Sequence, residues 1–177
     1  MMQGNYLDSA KKQFAQYKAL GEKSMAQIPE EKLFWKINEQ SNSVSTLVKH
    51  LWGNMRSRFT DFLTSDGEKS WRNRESEFEN DLNSRYLLMA RWNEGWGCLL
   101  ETLDELQEKD LLSIVSIRNE KHTVTEALNR QLTHSAYHVG QIVFLAKVIS
   151  GQNWKSLSIA RGQSDQFNAE KFKTPDK

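Results

Sequence analysis

Apolar residues recur at steps of three and four along most of this chain, which is the spacing of amphipathic helices. The first stripe, Leu7, Ala10, Phe14, Tyr17 and Leu20, predicts a helix from Tyr6 to Lys23. After Pro29, the segment EEKLFWKI predicts a turn and a short helical piece. A second stripe runs through Val44, Leu47, Leu51, Met55, Phe59 and Phe62. Ser43 stands before it as a candidate N-cap and Gly67 lies beyond it, so the predicted helix spans Ser43 to Leu63.

The periodicity then lapses over TSDGEKSWRNRESEFENDLN. A connection of this length in a compact domain is functional or mobile, and Glu75 to Phe78 is expected to form a helical turn. Leu88, Trp92, Trp96, Leu99, Leu103 and Leu106 restore the stripe and predict a third helix from Leu82 to Gln107. A fourth is predicted from Thr125 to Ser150 on Leu128, Leu132, Val139, Ile142, Ala146 and Ile149, closed by Gly151. The intervening LLSIVSIRNEKHTV is rich in β-branched residues but offers no evident pairing partner, and it reads as loop. The tail after Gly151 carries Trp154, Leu157, Ile159 and Phe167, too apolar for a solvated end. It is expected to pack on the bundle or on a second subunit.

No proline lies between Pro29 and Pro175, so long helices can run unbroken. With 177 residues the reading is one domain, residues 1–177, all-α, a four-helix bundle with a tail from about residue 151. Lysine plus arginine is 24 against 23 acidic residues. A near-zero balance gives no support for a nucleic-acid binder. The opening MMQGNYLDSAKKQF lacks a secretory apolar run, and the most apolar stretch, VGQIVFLAKVI, is too short for a bilayer, which needs about 20 residues. A single cysteine, Cys98, excludes an internal disulfide. These features predict a soluble cytoplasmic protein without a membrane partner.

The candidate chemistry lies in LTHSAYHVGQI. His134 and His138 are one helical turn apart, so both imidazoles leave one side, a spacing that suits capture of one divalent ion. Position 135 is serine, so the glutamate of an HExxH metalloprotease is missing. The competing reading is a pair of boundary histidines at a helix seam. A third ligand must come from elsewhere. His50 lies inside the second helix, well off its stripe and beside Thr46, Asn54 and Ser57, a face that is either solvent or the polar wall of a cavity. His122 reads as a solvated loop histidine.

The long motifs KHLWGNMRSRFTDFLTSDGEKSWRNRESEF, RQLTHSAYHVGQIVFLAK and SIARGQSDQFN resemble the DinB-like (DinB/YfiT-like) superfamily, and within it the DUF1572 branch, over about residues 5 to 170. The resemblance implies a bundle holding a divalent metal, zinc or nickel, on His50, His134 and His138, with water in the remaining positions. Characterised relatives in that superfamily include metal-dependent transferases that use a low-molecular-weight thiol. It also implies a homodimer and an unidentified small-molecule substrate. A non-catalytic, stress-related bundle that binds metal or a small ligand is the alternative. A third reading keeps the histidines as packing alone.

Other residues bear on the same chemistry. Arg72 and Arg74 suit an anionic group, though pairing with Glu75, Glu77 or Glu79 is the favoured reading. Trp92 and Trp96 read as core, and Trp71 and Trp154 as loop pins. Tyr137 is placed opposite the stripe, facing solvent or a partner subunit. Gln141 is a candidate for orienting a ligand histidine, with an ordinary seam residue preferred. Cys98 reads as inert packing. No acidic residue occurs on the fourth helix from 127 to 150, so no general base is evident there.

Overall fold

The computed structural model describes residues 6–173; Pro175 and the rest of both chain ends lie outside them. Four long helices form the bundle: α1 (Tyr6–Met25), α2 (Val44–Phe59), α3 (Arg85–Glu105) and α4 (Val124–Ser150). A hairpin of β1 (Ile114–Ile117) and β2 (Glu120–Thr123) precedes α4, and a short α5 (Ser164–Lys173) ends the described chain. No described helix is long and apolar enough to cross a membrane.

The predicted stripes are the core. α2 packs on α3 and α1 on α4, and Phe14, Leu51, Met55, Trp92, Trp96 and Val139 meet in the centre, all but fully buried. Phe14 and Trp96 lie edge to face at 6.5 Å. Close approach explains Gly95, where a Cβ would stand 2.8 Å from the Trp52 backbone.

Both predicted caps form. Ser43 accepts the Thr46 N–H at the start of α2. Gly151 ends α4 at φ 53°, a conformation that costs glycine little. α2 itself stops at Phe59, four residues short of the predicted Leu63. Asp61 turns the chain at φ 49° and its carbonyl accepts the N–H groups of Thr64 and Ser65.

Residues 114–123 are a two-stranded antiparallel sheet, where the sequence reading placed loop. The partner strand, EKHT, is polar and lies only two residues away. Arg118 and Asn119 both have positive φ, 54° and 63°, as a two-residue hairpin turn requires. Asp66 stabilises that turn from the α2–α3 connection: its carboxylate accepts the backbone N–H groups of Arg118 and Asn119, each at 2.9 Å. Val115 and Ile117 point into the core. Thr123, the last strand residue, is also the N-cap of α4 and forms a capping box with Glu126.

The tail packs less than its composition suggested. Trp154 is half-buried against the core and Lys155 bonds to Gln27, but Ile159 and Phe167 are exposed and α5 buries no residue.

The connection between α2 and α3 determines the site. It runs back along the polar face of α2. Ser57 donates to the Gly67 carbonyl at 2.7 Å, Glu77 lies over Gly53, Lys49 pairs with Asp81, and Ser43 donates to Asn80 at 2.8 Å. This strap buries Thr46, Lys49, His50, Asn54 and Ser57, so α2 is covered on nearly every side.

Candidate metal centre

His50, His134 and His138 converge beneath the strap. His50 Nε2 stands 3.2 Å from His134 Nε2, and one ring nitrogen from each histidine lies within 4.8 Å of the others. The ring centroids are 4.6 to 5.2 Å apart. The polar face on which His50 sits is therefore the wall of a cavity and not a solvent face. His122 stands apart on β2. It is half-buried, with Nε2 3.8 Å from the Glu120 carboxylate, so it is a strand residue and not the solvated loop histidine expected.

Each outer nitrogen shows how the trio is oriented. His50 Nδ1 donates to Glu77 Oε2 at 2.9 Å, which leaves Nε2 as a lone-pair donor facing inward. His138 Nδ1 donates to the side-chain oxygen of Gln141 at 2.9 Å, with the same consequence. Gln141 thus orients a histidine, the reading set second in the sequence. His134 Nδ1 is buried and has no partner.

Burial, reinforced by His138, His50, Arg72 and Arg58, pushes the His134 pKa down to about 3. Burial also lowers His138, against a smaller upward pull from Gln141. His134 and His138 are therefore held neutral, and the inner nitrogens of His50 and His138 face His134 with lone pairs. The donor set fits a divalent ion, and the carboxylate behind His50 is the arrangement that fixes a ligand histidine's tautomer.

Glu77 is itself held. Burial pushes its carboxyl up, but His50 and Arg72 outweigh this and hold it below the usual carboxylate range. Arg72 grips it with two bonds, Nε to Oε1 at 2.7 Å and Nη2 to Oε2 at 3.0 Å. The pairing of Arg72 with Glu77 was anticipated; the role of Glu77 at His50 was not. Nothing in WRNRESEF announces it, because the contact depends on the path of the strap. Phe78 stacks on the other face of His50, centroids 5.0 Å apart.

The trio opens into a cleft of about 560 Å³ between α2, α4, the strap and the hairpin. Its walls carry Arg58, Arg72, Arg74, Arg118 and Arg130, and apolar side chains that include Phe59, Phe62 and Ile117. Tyr137 is exposed on the rim with its ring 4.8 Å from His138, so it flanks the site. Trp71 of the strap is exposed, with the Arg56 guanidinium of α2 over its ring. Cys98 does not line the cleft, and burial pushes its thiol up, in keeping with inert packing.

The family described as a protein of unknown function (DUF1572) matches residues 2–163, nearly the whole chain. The chain is a DUF1572 protein. No curated protein matches it. The matched span of this DUF1572 chain holds all four bundle helices, the strap, the hairpin and the three converging histidines.

Proposed function

We propose that His50, His134 and His138 hold one divalent metal ion, zinc or nickel, and that the protein is a metal-dependent enzyme acting on a small molecule. One observation carries this reading: the outer nitrogens of His50 and His138 are each fixed by an acceptor, so that their inner nitrogens point with His134 at one place. The resemblance of KHLWGN and LTHSAYHVGQI to the DinB-like superfamily supports it.

An ion there would act as a Lewis acid and lower the pKa of a thiol bound to it. The protein's own groups bind and orient. Glu77 and Gln141 fix the ring tautomers, Phe78 shields His50 from water, and the strap closes the site on the α2 side. Among the described residues no acidic side chain lines the cleft, and Glu77 is spent on His50 and Arg72. A reaction whose nucleophile arrives with a co-substrate suits such a site, and transfer involving a low-molecular-weight thiol is the reading adopted. A homodimer in the cytoplasm belongs to the same proposal, with exposed Tyr137, Phe144 and Val148 on α4 as surface to cover.

Elemental analysis of protein purified without a histidine tag tests the metal, with about one ion per chain expected, and none in a His134→Ala variant. Thiol-conjugation assays with metal removed and restored test the chemistry. Metal without metal-dependent turnover would leave a binding protein. Light scattering at micromolar concentration tests the dimer.

A further inference from the structure

The walls of the cleft are more specific than the trio alone requires. Of the five arginines lining it, three are tied down. Arg58 and Arg118 reach Glu68 at 3.2 and 3.1 Å, and Arg72 is locked on Glu77. Arg74 lies over the Phe78 ring and only 3.7 Å from an exposed Glu75. Arg130 is exposed, and its guanidinium has no hydrogen-bond or ion-pair partner among the described residues.

A second observation is independent of charge. Asn54 lines the same cleft, is only 8 % exposed, and its Oδ1 is buried with no partner. A buried amide oxygen without a partner costs free energy unless an N–H or O–H group satisfies it.

Both residues lie on one side of the trio. Asn54 is one helical turn beyond His50 on α2, and Arg130 is one turn before His134 on α4. Each is displaced by roughly 6 Å along its helix. Phe59, Phe62 and Ile117 supply an apolar wall in the same direction.

We propose that the cleft takes a small organic hydroxycarboxylate with an apolar body: Arg130 anchors the carboxylate, Asn54 Oδ1 accepts a hydrogen bond from the ligand's hydroxyl between that anchor and the histidines, and the reacting end lies at the trio. The placing of the reacting end rests on the metal-centre reading; the anion anchor does not. A guanidinium offers two parallel N–H donors that match a carboxylate, whereas inorganic anions would leave the apolar wall unused. The cleft is of a size that takes a small-molecule ligand.

Isothermal titration of the whole 177-residue chain with 3-hydroxy-4-phenylbutyrate, against the neutral 3-hydroxy-4-phenylbutanamide, tests this. It is performed on chelator-treated protein, so that a metal cannot capture the carboxylate. The carboxylate is expected to bind at least about tenfold more tightly than the amide. Arg130→Gln should remove that preference without lowering the melting temperature, since Arg130 is exposed, while Arg161→Gln in the tail should retain it. Asn54→Leu should weaken both ligands. Equal affinity for acid and amide, an unchanged preference in Arg130→Gln, or no carboxylate binding at about 10 mM would each overturn the proposal. Tighter binding of the matching phosphonate would overturn the carboxylate assignment. The same preference in His134→Ala would uphold the anchor whatever becomes of the metal centre.

Discussion

Glu77 Oε2 lies 2.9 Å from His50 Nδ1 while the Arg72 guanidinium closes on the same carboxylate from the other side. One buried acid therefore joins a strap cation to a candidate ligand. Glu77→Gln preserves the shape and removes the charge. Arg72, buried beside it, keeps only Glu68 at 3.4 Å as a counter-charge. Breaking a buried pair from one side costs about 3 to 5 kcal/mol, so a clear fall in melting temperature is expected. Metal affinity, measured by calorimetric titration, should fall about 10- to 100-fold. Unchanged affinity in a folded variant would show that His50 does not depend on Glu77.

Glycine substitutions separate this effect from general helix stability. A Cβ at Gly53 would stand 2.3 Å from Glu77 Oε1, whereas one at Gly140 would meet nothing within 4 Å. Gly53→Ala should displace Glu77 and lower both stability and metal affinity. Gly140→Ala should be neutral or stabilising by up to about 1 kcal/mol, because alanine is the better helix former. Thermal melts of the two proteins check the contrast.

Acid should destabilise the metal-free protein by a route that can be assigned. His134 has a folded pKa of about 3 against an unfolded value near 6.5, so the unfolded chain binds the extra proton between these values. Stability is then fully present above about pH 6.5 and declines as pH falls toward 3. His138 acts in the same direction. Glu77, depressed by its partners, adds a loss below the ordinary carboxylate range. Arg72, Arg58, His50 and His138 all act on His134, so the decline belongs to the cluster. Denaturant melts from pH 7 to 5 should show a shallower decline for His134→Gln than for the native chain.

A bound ion stabilises only the folded state, and it requires neutral imidazoles. Adding zinc should raise the melting temperature at pH 7.5, and the gain should shrink toward pH 5. A chelator should reverse it. His134→Ala should abolish the response, and His122→Ala, altered on β2 away from the trio, should keep it. Equal responses in the two variants would place the metal elsewhere.

The sequence carried the four helices because each has a continuous stripe: Leu88 to Leu106 on α3 and Leu128 to Ile149 on α4 fall where periodicity puts them. It also identified the three histidines. It could not place His50, because a wheel ranks faces by polarity and the polar face of α2 is covered by a segment with no periodicity of its own. The hairpin was missed for a related reason. Its turn is Arg118–Asn119 without a glycine, and its stability comes from Asp66, some fifty residues earlier. Glu77 was invisible as a site residue because its contact with His50 exists only once the strap lies along α2.

That strap also limits what could be carried to another protein. Three histidines placed at equivalent positions on a bare four-helix scaffold would reproduce the spacing of the nitrogens but not their directions. His50 would turn freely in water, without Glu77 behind it or Phe78 on its face. The transferable unit is α2 together with residues 64–84 and the part of α4 that carries His134, His138 and Gln141. Any graft that leaves out the connecting segment transfers the histidines without the means of aiming them.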